Sequence, residues 1–344
     1  MKVLDFRSDT LTQPSAAMRA FMAQAQVGDD VYGEDPSINL LEMKAAELTG
    51  FASALFISSG TQGNLIALLS HCRPGDEVIL EEDSHIFVNE VGGMAALGGL
   101  QARTLRGLPE NQGIFPVEAM ISAIRADNVH YPETTLVCLE NTHNKGGGAA
   151  ATPQEMGEII HAAQERGIKV HLYGARALSA SVAQKPSIAQ LLKGLDSVQI
   201  CLSKGLGAPV GSVLLGDPEF IKRARKWRKM LGGGMRQAGI LAAAGLYAFE
   251  HNIDRLEEDH QRAQILAEVI DEIPGLQVLR PKIMTNILCV DTRKSQKSGA
   301  QWVEILAQRG IRIGANGPFS IRFVTHLDID DEDLAQAIKI LREI

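Results

Sequence analysis

Val198-Gln199-Ile200-Cys201-Leu202-Ser203-Lys204-Gly205-Leu206-Gly207-Ala208-Pro209 is an apolar strand that runs into a lysine and then into a glycine-rich turn. A lysine at the exit of a strand sits at the edge of the sheet where α/β proteins bind ligands. Its amine can form a Schiff base with an aldehyde once burial or nearby positive charge makes the neutral form accessible. Glycines on the following turn keep bulk away from whatever the amine holds. On its own the stretch also describes an exposed lysine in a glycine loop.

The surrounding pattern predicts an α/β architecture. Short β-type runs over 54–57, 77–80, 135–139, 168–172, 197–202 and 211–215 alternate with amphipathic helices over 62–71 and 153–166, the signature of a mainly parallel sheet with crossover helices. His85 opens a further helix expected to run towards Leu97, and Pro218 starts a very basic helix that stops at Gly232-Gly233-Gly234. After about residue 250 the order changes to a long helix over 253–273, short strands over 276–279, 286–290, 311–313 and 321–324, and a closing helix over 331–341. This divides the chain into a large α/β domain with its N-terminal segment, 1–250, and a small C-terminal α+β domain, 251–344. The turn-rich stretch 106–113 reads as a surface loop.

A length of 344 residues suits two such domains. A net charge of −7 argues against a protein that coats nucleic acid. No apolar run approaches the ~20 residues that span a bilayer, and Lys2, Asp5 and Arg7 interrupt any signal-peptide core. Cys72, Cys138, Cys201 and Cys289 lie far apart without metal-ligand spacing and read as buried free thiols. The expectation is a cytoplasmic protein with no metal, membrane or nucleic-acid partner. The run 222–229 has six basic residues in eight, and in so acidic a chain it reads as a solvated or interface helix.

Ser59-Gly60-Thr61 stands between a strand and a helix. Backbone N–H groups at a helix N-terminus bind phosphate through oriented donors and the helix dipole. Serine and threonine also cap most helices, so the motif is weak alone. Placed 145 residues before the lysine of an α/β chain, it becomes half of a pyridoxal-phosphate (PLP) site.

Six longer stretches then carry a family resemblance: 7–10 (RSDT), 27–36 (VGDDVYGEDP), 139–144 (LENTHN), 201–212 (CLSKGLGAPVGS), 232–237 (GGGMRQ) and 324–328 (VTHLD). In this order they resemble the L-threonine aldolases, PLP enzymes of the fold-type-I, aspartate-aminotransferase class. The resemblance implies cleavage of L-threonine, L-allo-threonine or related β-hydroxy-α-amino acids to glycine and an aldehyde, reversibly. It implies that Lys204 carries the cofactor, that Ser59, Gly60 and Thr61 hold its phosphate, and that His85 stacks on its ring near the substrate hydroxyl. His143 is the second candidate for that hydroxyl, directly or through water, and the choice of base stays open between the two histidines and a water. Ser8, Arg176 and Arg322 match residues that hold the substrate carboxylate, for which the arginine fork is suited. Arg322 lies in an apolar strand, so a structural ion pair competes with that role. Tyr32, Lys229 and Arg236 resemble residues lent by a neighbouring subunit to the phosphate side, which implies a homo-oligomer: a dimer with shared sites, in the family's way a tetramer.

One position departs. The family reads His-(Leu/Val)-Asp-Gly-Ala-Arg after the strand, with the aspartate pairing the ring nitrogen, whereas this chain reads His171-Leu172-Tyr173-Gly174-Ala175-Arg176. The following Ala177-Leu178-Ser179 differs as well. A carboxylate keeps the ring nitrogen protonated, and a phenol with a pKa of about 10 offers a hydrogen bond without a countercharge. Three outcomes are open: an attenuated aldolase, a different fold-type-I reaction (β-elimination, racemisation or transamination), or a PLP-binding protein with little turnover. The first is the favoured reading.

Overall fold

The computed structural model describes residues 2–108, 113–281 and 284–344; within the loop expected over 106–113, residues 109–112 lie outside the described residues. Strands in chain order are β1 (Leu4–Asp5), β2 (Ser53–Ile57), β3 (Glu77–Glu81), β4 (Gln101–Leu105), β5 (Thr134–Glu140), β6 (Lys169–Tyr173), β7 (Ser197–Cys201) and β8 (Ser212–Gly216), then β9 (Gln277–Leu279), β10 (Ile287–Asp291), β11 (Ile311–Arg312), β12 (Gly314–Gly317) and β13 (Ser320–Val324).

The central sheet has seven strands in the order β2-β8-β7-β6-β5-β3-β4. All run parallel except β8, which is antiparallel to both its neighbours. Every residue of β3, β7 and β8 is buried, because helices cover both faces. The helix Gly60–His71 crosses β7 at close range through Gly63, where a Cβ would stand 2.3 Å from Ile57 Cδ1 and 2.8 Å from Gln199 Cγ. This crossing requires glycine.

The C-terminal sheet is antiparallel, β12-β13-β10-β9, and packs on the helices Leu256–Asp271 and Asp331–Arg342. β1 joins that unit by pairing in parallel with β11, and Leu4 and Phe6 lie in its apolar core beside Ile311 and Phe323. The carboxyl ends of β3, β5, β6 and β7 then gather Glu81, Glu140, Tyr173 and, three residues beyond Cys201, Lys204. The chain's chemistry is concentrated there, as expected for the open edge of a parallel sheet.

Two expectations need correction. His85 does not open one helix to Leu97. It opens a short one, His85–Val88, and a second follows at Gly93–Ala96. Between them Val91 and Gly92 take φ of 56° and 67°, left-handed values that interrupt a helix. β4 (Gln101–Leu105), an edge strand with no fully buried residue, was absent from the expected strands because its pattern carries little apolar signal.

Candidate active site

The turn after β7 is fixed from several sides. Gly207 N–H donates to the Lys204 carbonyl at 2.8 Å with Gly207 at φ 75°, and the Thr12 hydroxyl donates to the same carbonyl at 3.1 Å. Asn252 Nδ2 donates to the Leu206 carbonyl at 2.7 Å. The amine at the end of this lysine is thereby aimed at a defined point. Lys204 Nζ donates to the Tyr173 hydroxyl at 3.0 Å and lies 5.4 Å from the centroid of the phenol ring.

The Tyr173 ring is sandwiched deeply. His85 stacks on it with ring centroids 4.9 Å apart and planes 28° from parallel. Tyr173 is 3% exposed and packs with Ala175, Cys201 and Leu80. Burial pushes its phenol well above the ordinary value, with Cys201 and Glu140 adding to the effect, so the hydroxyl is neutral.

His85 is held by two glutamates. Its backbone N–H donates to Glu140 Oε2 at 2.6 Å, and its Nδ1 lies 2.9 Å from Glu90 Oε1. The same Glu90 oxygen accepts from Asn64 Nδ2 at 2.6 Å. A carboxylate accepts only, so Nδ1 carries a proton, and in the neutral ring Nε2 is the nitrogen that accepts. The break at Val91-Gly92 follows directly after Glu90, in the turn between the two short helices. Glu90 is a partner of His85 that sequence reasoning missed, since nothing in a continuous helix from 85 would bring position 90 back to position 85.

His143 is placed differently. Its ring is fully buried; Nδ1 accepts from the Gly146 N–H at 3.0 Å and Nε2 faces Glu81 Oε2 at 3.0 Å. Burial opposes charge on this ring, but Glu140 and Glu81 outweigh it and raise its pKa. Both nitrogens are therefore engaged in this arrangement.

The two arginines have different partners. Arg176 makes a two-pronged ion pair with Asp9, Nε to Oδ2 and Nη2 to Oδ1, both at 2.7 Å, with both side chains buried. Burial alone would raise the Asp9 carboxyl, yet Arg176 overrides it and holds it far below the carboxylate range. Arg322 instead donates to Asn144 Oδ1 at 3.1 Å and to the Arg7 carbonyl at 3.2 Å, both neutral. Its Nε is buried without a partner, and among the described residues no carboxylate lies within ion-pair reach of it. Burial and the neighbouring Arg176 lower its pKa. The competing structural ion pair for Arg322 is therefore not found among the described residues, and its charge is left for an anion.

The remaining candidates divide between the cavity and the surface. Ser8 caps its turn, accepting from the Thr10 N–H at 3.2 Å and the Thr10 hydroxyl at 2.8 Å. The Ser59 hydroxyl caps the helix at Gln62 N–H (3.2 Å), and a Cβ on Gly60 would come 2.9 Å from Cys201 Sγ. Tyr32 is 76% exposed, Lys229 is exposed, and exposed Arg236 pairs with Asp29 at 3.0 Å. None of these three contacts Lys204 within the one chain, among the contacts described. In the basic helix Pro218–Met230, Arg228 is buried against Asp30 at 2.6 Å and Arg225 binds Glu42 at 2.8 Å, so part of its charge is turned inward.

Relatives place this arrangement in a family. The β-eliminating lyase family profile matches residues 5–293. The low specificity L-threonine aldolase of Escherichia coli K12 is 44% identical over 97% of this chain and 97% of its own length. The chain belongs to the β-eliminating lyases, among the low-specificity L-threonine aldolases. Low-specificity L-threonine aldolase 1 of Arabidopsis thaliana is 40% identical and spans 100% of this chain and 96% of its own. The threonine aldolase structure from Leishmania major superposes with a TM-score of 0.83 over 99% of both chains at 22% identity, which supports the fold. Low-specificity aldolases are thus related to this chain through nearly its whole length.

Proposed function

We propose that the chain is a PLP-dependent lyase that cleaves L-threonine, L-allo-threonine and related β-hydroxy-α-amino acids to glycine and an aldehyde. The observation that carries this reading is one spatial cluster: a lysine amine at the sheet edge, a histidine with one open nitrogen, and a guanidinium left without an anion. The full-length similarity to low-specificity threonine aldolases supports it.

The residues fit PLP at three points. Lys204 offers the amine, the Ser59-Gly60-Thr61 turn offers a helix N-terminus for the phosphate, and His85 offers an aromatic face. Tyr173 is the exception, since its ring lies against that face. When bound, the cofactor withdraws the electron pair released by Cα–Cβ cleavage. The protein's part is positioning and proton transfer. Arg322 binds the substrate carboxylate, with Ser8 beside Arg7 on the same side and Arg176, paired with Asp9, next to them. His85 Nε2 accepts the β-hydroxyl proton, because Glu90 has fixed the other proton on Nδ1. His143, tied at both nitrogens, holds Glu81 and the 143–149 turn in place.

Incubation with L-threonine and PLP should yield equimolar glycine and acetaldehyde. Ammonia with 2-oxobutanoate, D-allo-threonine, or a keto acid without ammonia in place of the aldehyde would replace this reading with elimination, racemisation or transamination, respectively. Glu90→Gln should lower kcat by on the order of 10² with little change in KM, since an amide can donate to Nδ1 and send the proton to Nε2. A parental kcat and pH profile in that variant would remove Glu90 from the role.

We also take the working unit to be a homo-oligomer, a tetramer made of two dimers with shared sites, in the cytoplasm. The exposure of Tyr32, Lys229 and Arg236 in the single chain supports the sharing. Mixed dimers of Lys204→Ala and Arg236→Ala chains should regain activity that neither parent variant has, and their failure to do so would argue for self-contained sites.

A further inference from the structure

We propose that the Tyr173 ring and the cofactor's pyridine ring compete for one slot, so that this chain takes up PLP only when the Tyr173 side chain turns out. The proposal rests on the reading of Lys204 as the PLP lysine, and asks what the departure at position 173 does to that site.

Tyr173 is rooted at the end of β6, and its side chain points at Lys204, with the hydroxyl 3.0 Å from Nζ. Any ring joined to Nζ through one carbon and stacked beneath His85 must lie along that same line. The phenol already stacks there, its centroid 4.9 Å from that of His85, within the spacing of aromatic pairs. One face of one imidazole does not hold two rings at that distance. The cavity beside Lys204, lined by Asp9, Ala175, Arg176 and Cys201 among others, has room for about 20 Å³, about one water. Among the described residues, this cavity beside the amine does not have room for a pyridine.

The phenol also takes a hydrogen bond from the amine that must react. Loading exchanges that contact for a covalent bond: the Lys204 amine condenses with the cofactor's aldehyde, a C=N bond forms and one water leaves. The Tyr173 side chain must give up its packing against Ala175, Cys201 and Leu80 in the same event. A shorter side chain at 173 has none of this to give up.

The experiment is a PLP titration of the full chain, read by the visible absorbance of the lysine adduct and by borohydride trapping with peptide mapping. The parent should bind PLP at least about tenfold more weakly than Tyr173→Ala and Tyr173→Asp. Tyr173→Phe, which keeps the ring and loses the hydroxyl, should stay close to the parent. Parent affinity equal to that of Tyr173→Ala would overturn the competition while leaving Lys204 as the PLP lysine. Tyr173→Phe binding as tightly as Tyr173→Ala would also overturn it, since the ring would then be no obstacle. Folded Tyr173→Ala and Tyr173→Asp chains that trap no PLP on Lys204 would sink the reading of the site itself. Two small variants guard against one of them failing to fold.

Discussion

Lys204→Ala is expected to abolish both the trapped PLP adduct and the cleavage of L-threonine. Among the described residues the Nζ atom makes one hydrogen bond, to the Tyr173 hydroxyl, while the turn that carries it is held through its own carbonyls by the Thr12 hydroxyl, the Gly207 N–H and the Asn252 amide. Truncating the side chain therefore leaves the turn in place and removes only the amine. Losing a group that bonds covalently in the reaction costs about a thousandfold or more in rate. Because an alanine variant of Tyr173 opens the same slot, the comparison is best made in both backgrounds, and in both the adduct should vanish. An adduct that persists and maps to Lys145 or Lys229 would end the assignment of Lys204.

The second large effect is on stability. Asp9→Ala removes the partner of a buried arginine and leaves the Arg176 guanidinium uncompensated. Breaking one side of a buried ion pair costs about 3–5 kcal/mol, more than the pair itself adds over apolar residues of the same size. Urea unfolding midpoints should fall accordingly, and a fall under about 1 kcal/mol would mean that water reaches Arg176. The pH dependence has a fixed sign. Arg176 holds the Asp9 pKa far below its unfolded value, so the contribution is fully present above an unfolded pKa of about 3.9 and is lost as pH falls towards the folded one. The parent should therefore lose stability on acidification in that window more steeply than Asp9→Ala.

Much of this was legible in the sequence for physical reasons. An apolar strand that ends in a lysine and a glycine turn is a local signal, and β7 with Lys204 lies where it was expected. Tyr173 stood out because a phenol cannot do what a carboxylate does. Long-range contacts were not legible. Asp9 and Arg176 are 167 residues apart, and no local pattern announces that a motif aspartate will pair with an arginine expected to bind substrate. Glu90 was hidden by a helix that its own neighbours interrupt at Val91. His143 was named from its motif, and its engagement at both nitrogens depends on Glu81, 62 residues away at the end of β3. The reversed direction of β8 was invisible because a buried strand reads alike in either sense.

The pairing of β1 with β11 has a bearing on how the active site comes into being. Leu4 and Ile311 are register partners, so the first residues of the chain find their place only against some of the last. Contacts of such sequence separation close a very long loop and form late in folding. Asp9 and Ser8 follow β1 by a few residues, so the docking of β1 on β11 helps to hold them against Arg176 and the Arg322 side of the cavity. During synthesis the domain carrying Lys204 can assemble first, with Arg176 still lacking its carboxylate. The last step of assembly, and not the building of the sheet, is then what turns a lysine on a turn into a charged pocket ready for an amino acid.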